Sequence, residues 1–244
     1  MWTDAIFQGL SPAARRDFER RDGAELGRSG ARGGIRALHS PSALACNWFD
    51  YWRDRDLQPL SRAFGVPGRF STLALEQKTF PTCLGGISPN FDVLLTCTDG
   101  TPFAIESKFT EPYTQSNGKA YLKPKYFCKG RSLWTGVGLP GCQAVSEALR
   151  TEQHDFKLLD VAQLLKHMLA LALNRHRWSL CCLWFEVPGS LADQHRQELA
   201  VFTAHIGTDA AHFLAMTYQE LFARMVPLVG KTTRNTSCIC RTAT

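Results

Sequence analysis

Ser88-Pro-Asn-Phe-Asp-Val-Leu-Leu-Thr-Cys97 and Pro102-Phe-Ala-Ile-Glu-Ser-Lys-Phe109 are the two stretches that decide the fold of this chain. Thr-Asp-Gly-Thr at 98–101 lies between them and is typical of a tight hairpin connection. Both stretches are short, rich in apolar residues and bounded by turn residues. The sequence therefore predicts two antiparallel strands, Phe91–Cys97 and Pro102–Phe109.

The open end of this hairpin carries two acidic residues and a lysine. Counted from the turn, Asp92 lies seven residues back and Glu106 six residues forward, so antiparallel pairing brings both carboxylates to the same end. Glu106 and Lys108 are two residues apart and share a face of their strand. Their apolar neighbours are typical of buried strands, where acids are rare without a partner, and this favours a shared site over a surface ion pair.

Two carboxylates and a backbone carbonyl, that of Ser107, suit Mg²⁺ and leave coordination positions for water and a phosphate oxygen. Mn²⁺ is an expected substitute. Lys108 would orient or help deprotonate the attacking water and stabilise charge on the phosphate. Glu76, on the preceding strand, is a third acid expected to border the cleft. This set of residues fits metal-assisted phosphodiester hydrolysis.

The remaining chain alternates helical and strand-like patterns. Ser11-Pro12 and Ser40-Pro41-Ser42 each open a helix. The other predicted strands are 70–80, 178–187 and 212–217, and the other predicted helices are 158–173, 191–205 and 218–226. This order of helix, three strands, helix and strand predicts an α/β fold, a mixed sheet flanked by helices.

No internal repeat or long linker divides the chain. We expect an N-terminal helical part, residues 1–65, packed on an α/β core, residues 66–230. Residues 231–244 are rich in Thr and polar residues and are expected to form a poorly ordered tail.

A basic stretch with interleaved aromatic residues lies between 108 and 134. It holds six basic residues against one acid and supplies five of the six net positive charges of the chain. Cations that neutralise phosphates and rings that stack on bases are typical of a nucleic-acid surface, although a solvated basic loop has the same composition. The candidate binding residues are Lys119, Lys123, Lys125, Lys129, Arg131, Tyr121 and Tyr126.

The apolar runs are shorter than a bilayer crossing requires, and the first 21 residues mix acids with bases instead of forming a signal sequence. We therefore expect a cytoplasmic protein without membrane contact. Nine cysteines without any Cys-x-x-Cys pair disfavour a disulfide framework. Zinc held by Cys128 with Cys142, or by Cys238 with Cys240, is an alternative to buried thiols.

Gly136-Val-Gly-Leu-Pro-Gly141 matches a dinucleotide-binding pattern, Gly-x-Gly-x-x-Gly. The preceding segment is too short for the required strand, and Pro140 is poorly placed in such a turn. We therefore expect no nucleotide site there.

Pro89-Asn-Phe-Asp92 followed by Ala104-Ile-Glu-Ser-Lys108 resembles the bipartite motif of the PD-(D/E)XK nuclease superfamily, whose fold is restriction-endonuclease-like. The sequence departs from the usual Pro-Asp by the two residues between Pro89 and Asp92. Three segments, 106–113, 159–167 and 217–222, also resemble a bacterial group of candidate restriction endonucleases.

The resemblance implies that Asp92 and Glu106 are metal ligands and that Lys108 is the catalytic lysine. It also suggests a substrate-facing role for Gln163, one helical turn from His167; the alternative is a polar residue bordering an apolar face. The implied activity is cleavage of double-stranded DNA in a restriction or defence setting, with a homodimer as one way to cut both strands. A nucleic-acid-binding module of the same fold without turnover is the second hypothesis.

Overall fold

The computed structural model describes residues 9–20, 26–27, 33–78, 80–82, 84–85, 88–113, 121–127, 132–153 and 156–229. The predicted tail, 231–244, lies outside the described residues, as do Lys119, Lys129 and Arg131.

A five-stranded mixed sheet forms the centre of the molecule. Its strands run in the order β1-β2-β3-β4-β5. The pairs β1–β2 and β2–β3 are antiparallel, and β3–β4 and β4–β5 are parallel. The mixed sheet predicted from the sequence is confirmed, and its strands are β1 Phe70–Gln77, β2 Phe91–Cys97, β3 Pro102–Lys108, β4 Ser179–Trp184 and β5 His212–Thr217.

Seven α-helices flank the sheet within the described residues. Helix α2 begins as predicted, because the Ser40 side chain accepts a hydrogen bond from the amide of Ala43 and Pro41 occupies the first turn. The helices are α1 Pro12–Arg20, α2 Pro41–Phe49, α3 Gln58–Ala63, α4 Pro140–Arg150, α5 Val161–Asn174, α6 Ser190–His205 and α7 Tyr218–Met225.

Three of the predicted strands are longer than the observed ones, and β3 differs least because it ends at Lys108, one residue before Phe109. The sequence extends β1 to Phe80, but the strand ends at Gln77, next to Glu76, whose φ of 54° is not a strand conformation. The amide of Phe185 still donates to the carbonyl of Lys108 in β3 at 2.9 Å. Strand β4 nevertheless ends at Trp184, because the Tyr113 hydroxyl donates to the carbonyl of Phe185 and accepts from the amide of Val187.

The two faces of the sheet carry different helices. One core cluster joins the sheet to α1, α2, α3 and α7, and the other joins it to α4, α5 and α6. In β3, Phe103 and Ile105 lie in the first cluster and Ala104 in the second. Because side chains alternate along a strand, Glu106 and Lys108 face α5, and Ser107 faces α7.

The glycine-rich segment before α4 has a structural role. The first amides of α4, those of Gly141 and Cys142, donate to the carboxylate of Asp209 at 2.5 and 2.8 Å. A side chain at Gly141 would meet the backbone oxygen of His205 at 2.3 Å. The helix terminus that would bind a phosphate is thus filled by this chain's own carboxylate.

Cys142 is buried with its sulfur 3.4 Å from that of Met168, while Cys128, Cys238 and Cys240 lie outside the described residues. None of the helices among the described residues has both the length and the apolar character needed to span a bilayer.

Candidate active site

The open end of the β2–β3 hairpin brings the two predicted acidic residues together. Val93 pairs with Ile105, and continuing that register by one residue sets Asp92 opposite Glu106. The amide of Ser107 donates to Asp92 Oδ2 at 2.7 Å. Asp92 is therefore held against the end of the strand that carries Glu106, and the register argued from the turn is the one observed.

Lys108 connects the sheet to helix α5. Its Nζ donates to Glu106 Oε1 at 2.8 Å and to Gln163 Oε1 at 2.7 Å. Gln163 lies in the first turn of α5, where its amide donates to the N-cap residue Asp160 at 2.9 Å. The N-terminus of α5 therefore places the Gln163 side chain at the lysine.

His167 lies one turn further along α5, beneath the second oxygen of Glu106. His167 Nδ1 is 3.4 Å from Glu106 Oε2, yet neither atom makes a hydrogen bond. Burial lowers the pKa of His167, and Lys108 and Lys166 add to that effect, whereas Glu106 opposes it; the net shift favours the neutral ring. Glu106 is only 2% exposed and has one oxygen bonded to Lys108 and one without a hydrogen-bond donor.

Glu76 borders the same site from β1. Leu75 pairs with Val93 and Gln77 with Phe91, so Glu76 lies opposite Asp92. Asn90 Nδ2 donates to Glu76 Oε2 at 2.5 Å. The positive φ of Glu76, 54°, is unfavourable for a residue other than glycine. The register places Glu76 beside Asp92, and a catalytic role for Glu76 stays a prediction.

The charges at this site are unbalanced. Burial, followed by the neighbouring Glu106 and Glu76, raises the pKa of Asp92 well above its ordinary value, against the opposing effects of Lys108 and the Ser107 amide. Burial disfavours the charged form of Lys108, but Glu106 and Asp92 outweigh it and raise the lysine pKa. Among the described residues, the carboxylates of Asp92 and Glu106 thus lie beside the single amine of Lys108, and an additional cation would relieve the repulsion between the two carboxylates.

The donor set fits a hard divalent cation. Among the described residues, no group of three or more His, Cys, Asp or Glu side chains is arranged to hold a metal ion. A cation here would therefore depend on Asp92, Glu106, a backbone carbonyl and water, which are the oxygen ligands that Mg²⁺ prefers. The buried Oε2 of Glu106 makes no hydrogen bond, although His167 Nδ1 lies 3.4 Å away, and this is the observation that favours a cation at the site.

Residues 121–127, the described middle segment of the basic stretch, lie against the connection between β1 and β2. Lys125 Nζ donates to the carbonyl of Gly85 at 2.5 Å, in the loop that leads from Glu76 to Asp92. Tyr121 is 65% exposed and Lys123 is exposed. Tyr126 is only 6% exposed and stacks on Trp134, so its ring belongs to the core and is not offered to a base.

The sequence predicts no role for three residues that the structure places around the site: Asn90, His167 and Tyr218. Asn90 is two residues from Asp92, so strand alternation could have indicated their common face. His167 is four residues from Gln163, a helical spacing that pointed to the same face. The hydroxyl of Tyr218 lies 2.8 Å from Ser107 Oγ, and no local pattern signals that contact.

Comparison with known proteins gives one family. A family model described as Restriction Endonuclease associating with ARP matches residues 2–234, nearly the whole chain. Neither the comparison with curated proteins nor that with solved structures found a match.

Proposed function

The chain belongs to the family of restriction endonucleases associating with ARP, and from that premise we propose that it is a metal-dependent nuclease that hydrolyses phosphodiester bonds in DNA. The proposal includes Mg²⁺ as the cofactor, double-stranded DNA as the substrate and a restriction or defence role in the cytoplasm.

One observation carries this proposal: Asp92, Glu106 and Lys108 converge at the open end of a single hairpin. The Ser107 amide holds Asp92 at 2.7 Å, and Lys108 holds one oxygen of Glu106 at 2.8 Å. The other oxygen of Glu106 has no hydrogen-bond partner. A purely structural ion pair would not need a second, half-buried acid beside it.

The roles of the residues follow from their positions. Asp92, Glu106 and the Ser107 carbonyl would hold the divalent cation, which when bound would supply Lewis-acid assistance to water and phosphate. Lys108 would orient the attacking water and stabilise the negative charge that develops on the phosphate. Gln163 would hold the lysine amine in place through its 2.7 Å hydrogen bond, and Glu76 would add negative potential at the border of the site.

The segment 121–127 supports a nucleic-acid substrate because of where it lies. Through Lys125 it contacts the loop that connects β1 and β2 at the edge of the sheet with the acidic residues, and Lys123 and Tyr121 of the same segment are exposed. A DNA backbone crossing this edge would meet cations beside the carboxylates. Lys119, Lys129 and Arg131 are proposed to extend this surface, whereas Tyr126 supports it from the core.

Cleavage of supercoiled plasmid, linear duplex, single strands and RNA by the full chain tests the proposal. We expect cleavage of duplex DNA with Mg²⁺ or Mn²⁺ and none with EDTA. Lys108→Ala should retain Mn²⁺ binding but lose cleavage, because the lysine acts on water and phosphate and does not coordinate the ion.

A chain that binds DNA with the expected salt dependence but cuts no substrate with either ion would contradict the nuclease proposal. That result would establish the second hypothesis, a binding module of the same fold. Cleavage that persists in Glu106→Gln at the wild-type rate would point to a contaminating nuclease.

A further inference from the structure

Ser107 lies between the two charged residues of the site but points to the opposite face of the sheet. Its side chain is buried. Its Oγ lies 2.8 Å from the hydroxyl of Tyr218 and donates to the carbonyl of Pro41 at 3.3 Å. A carbonyl only accepts, so when the serine hydroxyl donates to Pro41 the tyrosine hydroxyl is the donor in the shorter contact.

These hydrogen bonds of Ser107 hold the end of β3, which lies beyond the last residue that pairs with β2. The described pairing of β2 with β3 extends only as far as Val93 with Ile105, and β4 pairs with β3 on its other side through Lys108. Among the described residues, the contact of Ser107 toward β2 is the hydrogen bond that its amide donates to Asp92 Oδ2. The amide and the carbonyl of Ser107 belong to the two peptide groups on either side of its Cα, so a displacement of this residue would move that hydrogen bond and the carbonyl together.

Tyr218 is well suited to hold the backbone of Ser107 in place, because contacts from two helices hold its own position. It is the first residue of α7, directly after Thr217, whose side chain accepts from the Glu220 amide at 3.0 Å while Glu220 accepts from the Thr217 amide at 2.7 Å. The tyrosine ring packs edge-on against Trp48 of α2, with centroids 5.8 Å apart. The hydroxyl is therefore positioned by two helices from distant parts of the chain.

We propose that Ser107 and Tyr218 form a positioning pair for divalent-cation binding. The pair orients the backbone amide and carbonyl of Ser107, and through the amide it orients Asp92. The inference rests on the proposed function, since it assumes that the site takes a cation. Neither hydroxyl touches the reacting atoms, because both lie on the α7 face of the sheet, and their effect passes through the backbone.

The alternative is that the pair only satisfies two buried hydroxyls and stabilises the core. Ser146 provides the matched control, since it is fully buried and its Oγ donates to the carbonyl of Gln143 at 2.8 Å within helix α4. Ser146→Ala removes a comparable hydrogen bond and makes no contact with the proposed site.

The experiment uses Mn²⁺ alone as the probe, with the full chain and no DNA. Titration calorimetry and the Mn²⁺-induced rise in Tm are measured for wild type, Ser107→Ala, Tyr218→Phe, the double variant and Ser146→Ala. We expect each single variant at the pair to weaken Mn²⁺ binding about tenfold, as for residues that orient a metal ligand indirectly. The double variant should bind Mn²⁺ about as tightly as each single variant, because each change breaks the same contact.

Ser146→Ala should lose stability without losing Mn²⁺ affinity. In cleavage assays of Tyr218→Phe, the Mn²⁺ concentration that gives the half-maximal rate should rise by a larger factor than the rate at saturating Mn²⁺ falls.

Two results would overturn the positioning role and leave the proposed function intact, provided that wild type binds Mn²⁺ and cuts DNA. One is an unchanged Mn²⁺ affinity in Tyr218→Phe, and the other is a loss of affinity in the double variant equal to the product of the two single losses. A wild-type protein that binds no Mn²⁺ would overturn this inference together with the proposed function. If Ser107→Ala does not fold, Tyr218→Phe alone decides between these outcomes.

Discussion

Two buried glutamates in this protein have opposite surroundings. Glu198, on α6, is 7% exposed, and its Oε2 accepts three backbone amides, those of Lys157, Leu158 and Leu159, at 2.9 to 3.1 Å. Its Oε1 accepts from Gln194 at 2.9 Å. Glu106, at 2% exposure, has a lysine on one oxygen and no hydrogen bond on the other.

The difference separates a carboxylate that stabilises the fold from one that is available for binding. Four donors complete the coordination of Glu198 and fix the chain before α5 onto α6, so nothing further is needed. Glu106 instead faces Asp92 across the hairpin and keeps an oxygen without a donor. Burial alone does not distinguish the two residues; the number of hydrogen-bond donors and the neighbouring charge do.

The largest expected effect follows from neutralising the acids of the site. Glu106→Gln and Asp92→Asn should each reduce DNA cleavage by about 10³-fold, because each removes a charge that would hold the cation. Stability in metal-free urea titrations should stay within about 1 kcal/mol of wild type, since relief of the repulsion between Asp92 and Glu106 offsets the weaker bond to Lys108. A loss of several kcal/mol without a loss of cleavage would assign Glu106 to the fold.

Glu198→Ala should give the reverse result. Three buried amides lose their acceptor, and we expect the free energy of unfolding to fall by about 4 kcal/mol. Urea denaturation measures the loss, and cleavage per folded molecule should remain at the wild-type value. If the variant is as stable as wild type but inactive, the comparison between the two glutamates is wrong.

Low pH should reduce the free energy of unfolding through His195, a residue of α6. This ring is 1% exposed, neither nitrogen makes a hydrogen bond, and burial lowers its pKa to about 4. In the unfolded chain the ring takes up a proton near pH 6.5, whereas the folded protein resists protonation until about pH 4. Stability should therefore fall as the pH drops from 6.5 to 4, with about 3 kcal/mol from this residue.

Urea titrations at several pH values check this expectation with His195→Phe, which keeps a ring against Trp184. The variant should lose less stability than wild type over the same interval. His176→Gln, at an exposed position, is the matched control and should follow wild type. Identical pH profiles for wild type and His195→Phe would contradict the assignment.

The smallest effect is expected at the basic surface beside the site. Lys123, Lys125 and Lys129 replaced together by Ala should weaken DNA binding about equally for all sequences, and each lost phosphate contact should flatten the slope of log K against log salt by about 0.9. Fluorescence anisotropy at several salt concentrations measures the slope. Lys157→Ala, an exposed lysine on the α6 side, is the control, and an unchanged slope in the triple variant would make the stretch ordinary surface.

The hairpin was predictable because its information is local. The turn at 98–101 sets the register of β2 and β3, and the register sets Asp92 opposite Glu106 with Lys108 on the same face. The end of β1 was not predictable in the same way. The apolar pattern continues to Phe80, but the strand ends at Gln77, beside the positive φ of Glu76, and a periodicity of two carries no signal for such a conformation.

The basic stretch shows a second limit. Composition marked Tyr121 and Tyr126 as equivalent aromatic residues among lysines. In the fold Tyr121 is 65% exposed, while Tyr126 stacks on Trp134. Which of two nearby rings faces solvent depends on what packs beneath the segment, and the sequence pattern of a loop does not contain that information.

The sequence by itself determined the mixed sheet, the acidic hairpin and the proposed pairing of acid with lysine, because strand alternation and turn geometry act over a few residues. Only the tertiary structure decided that Gln163 bonds to Lys108 across 55 residues and that Tyr218 reaches Ser107 across 111. Those contacts depend on how α5 and α7 pack on opposite faces of the sheet. Packing is fixed by the shape and burial of the whole core, so no short stretch of sequence specifies it.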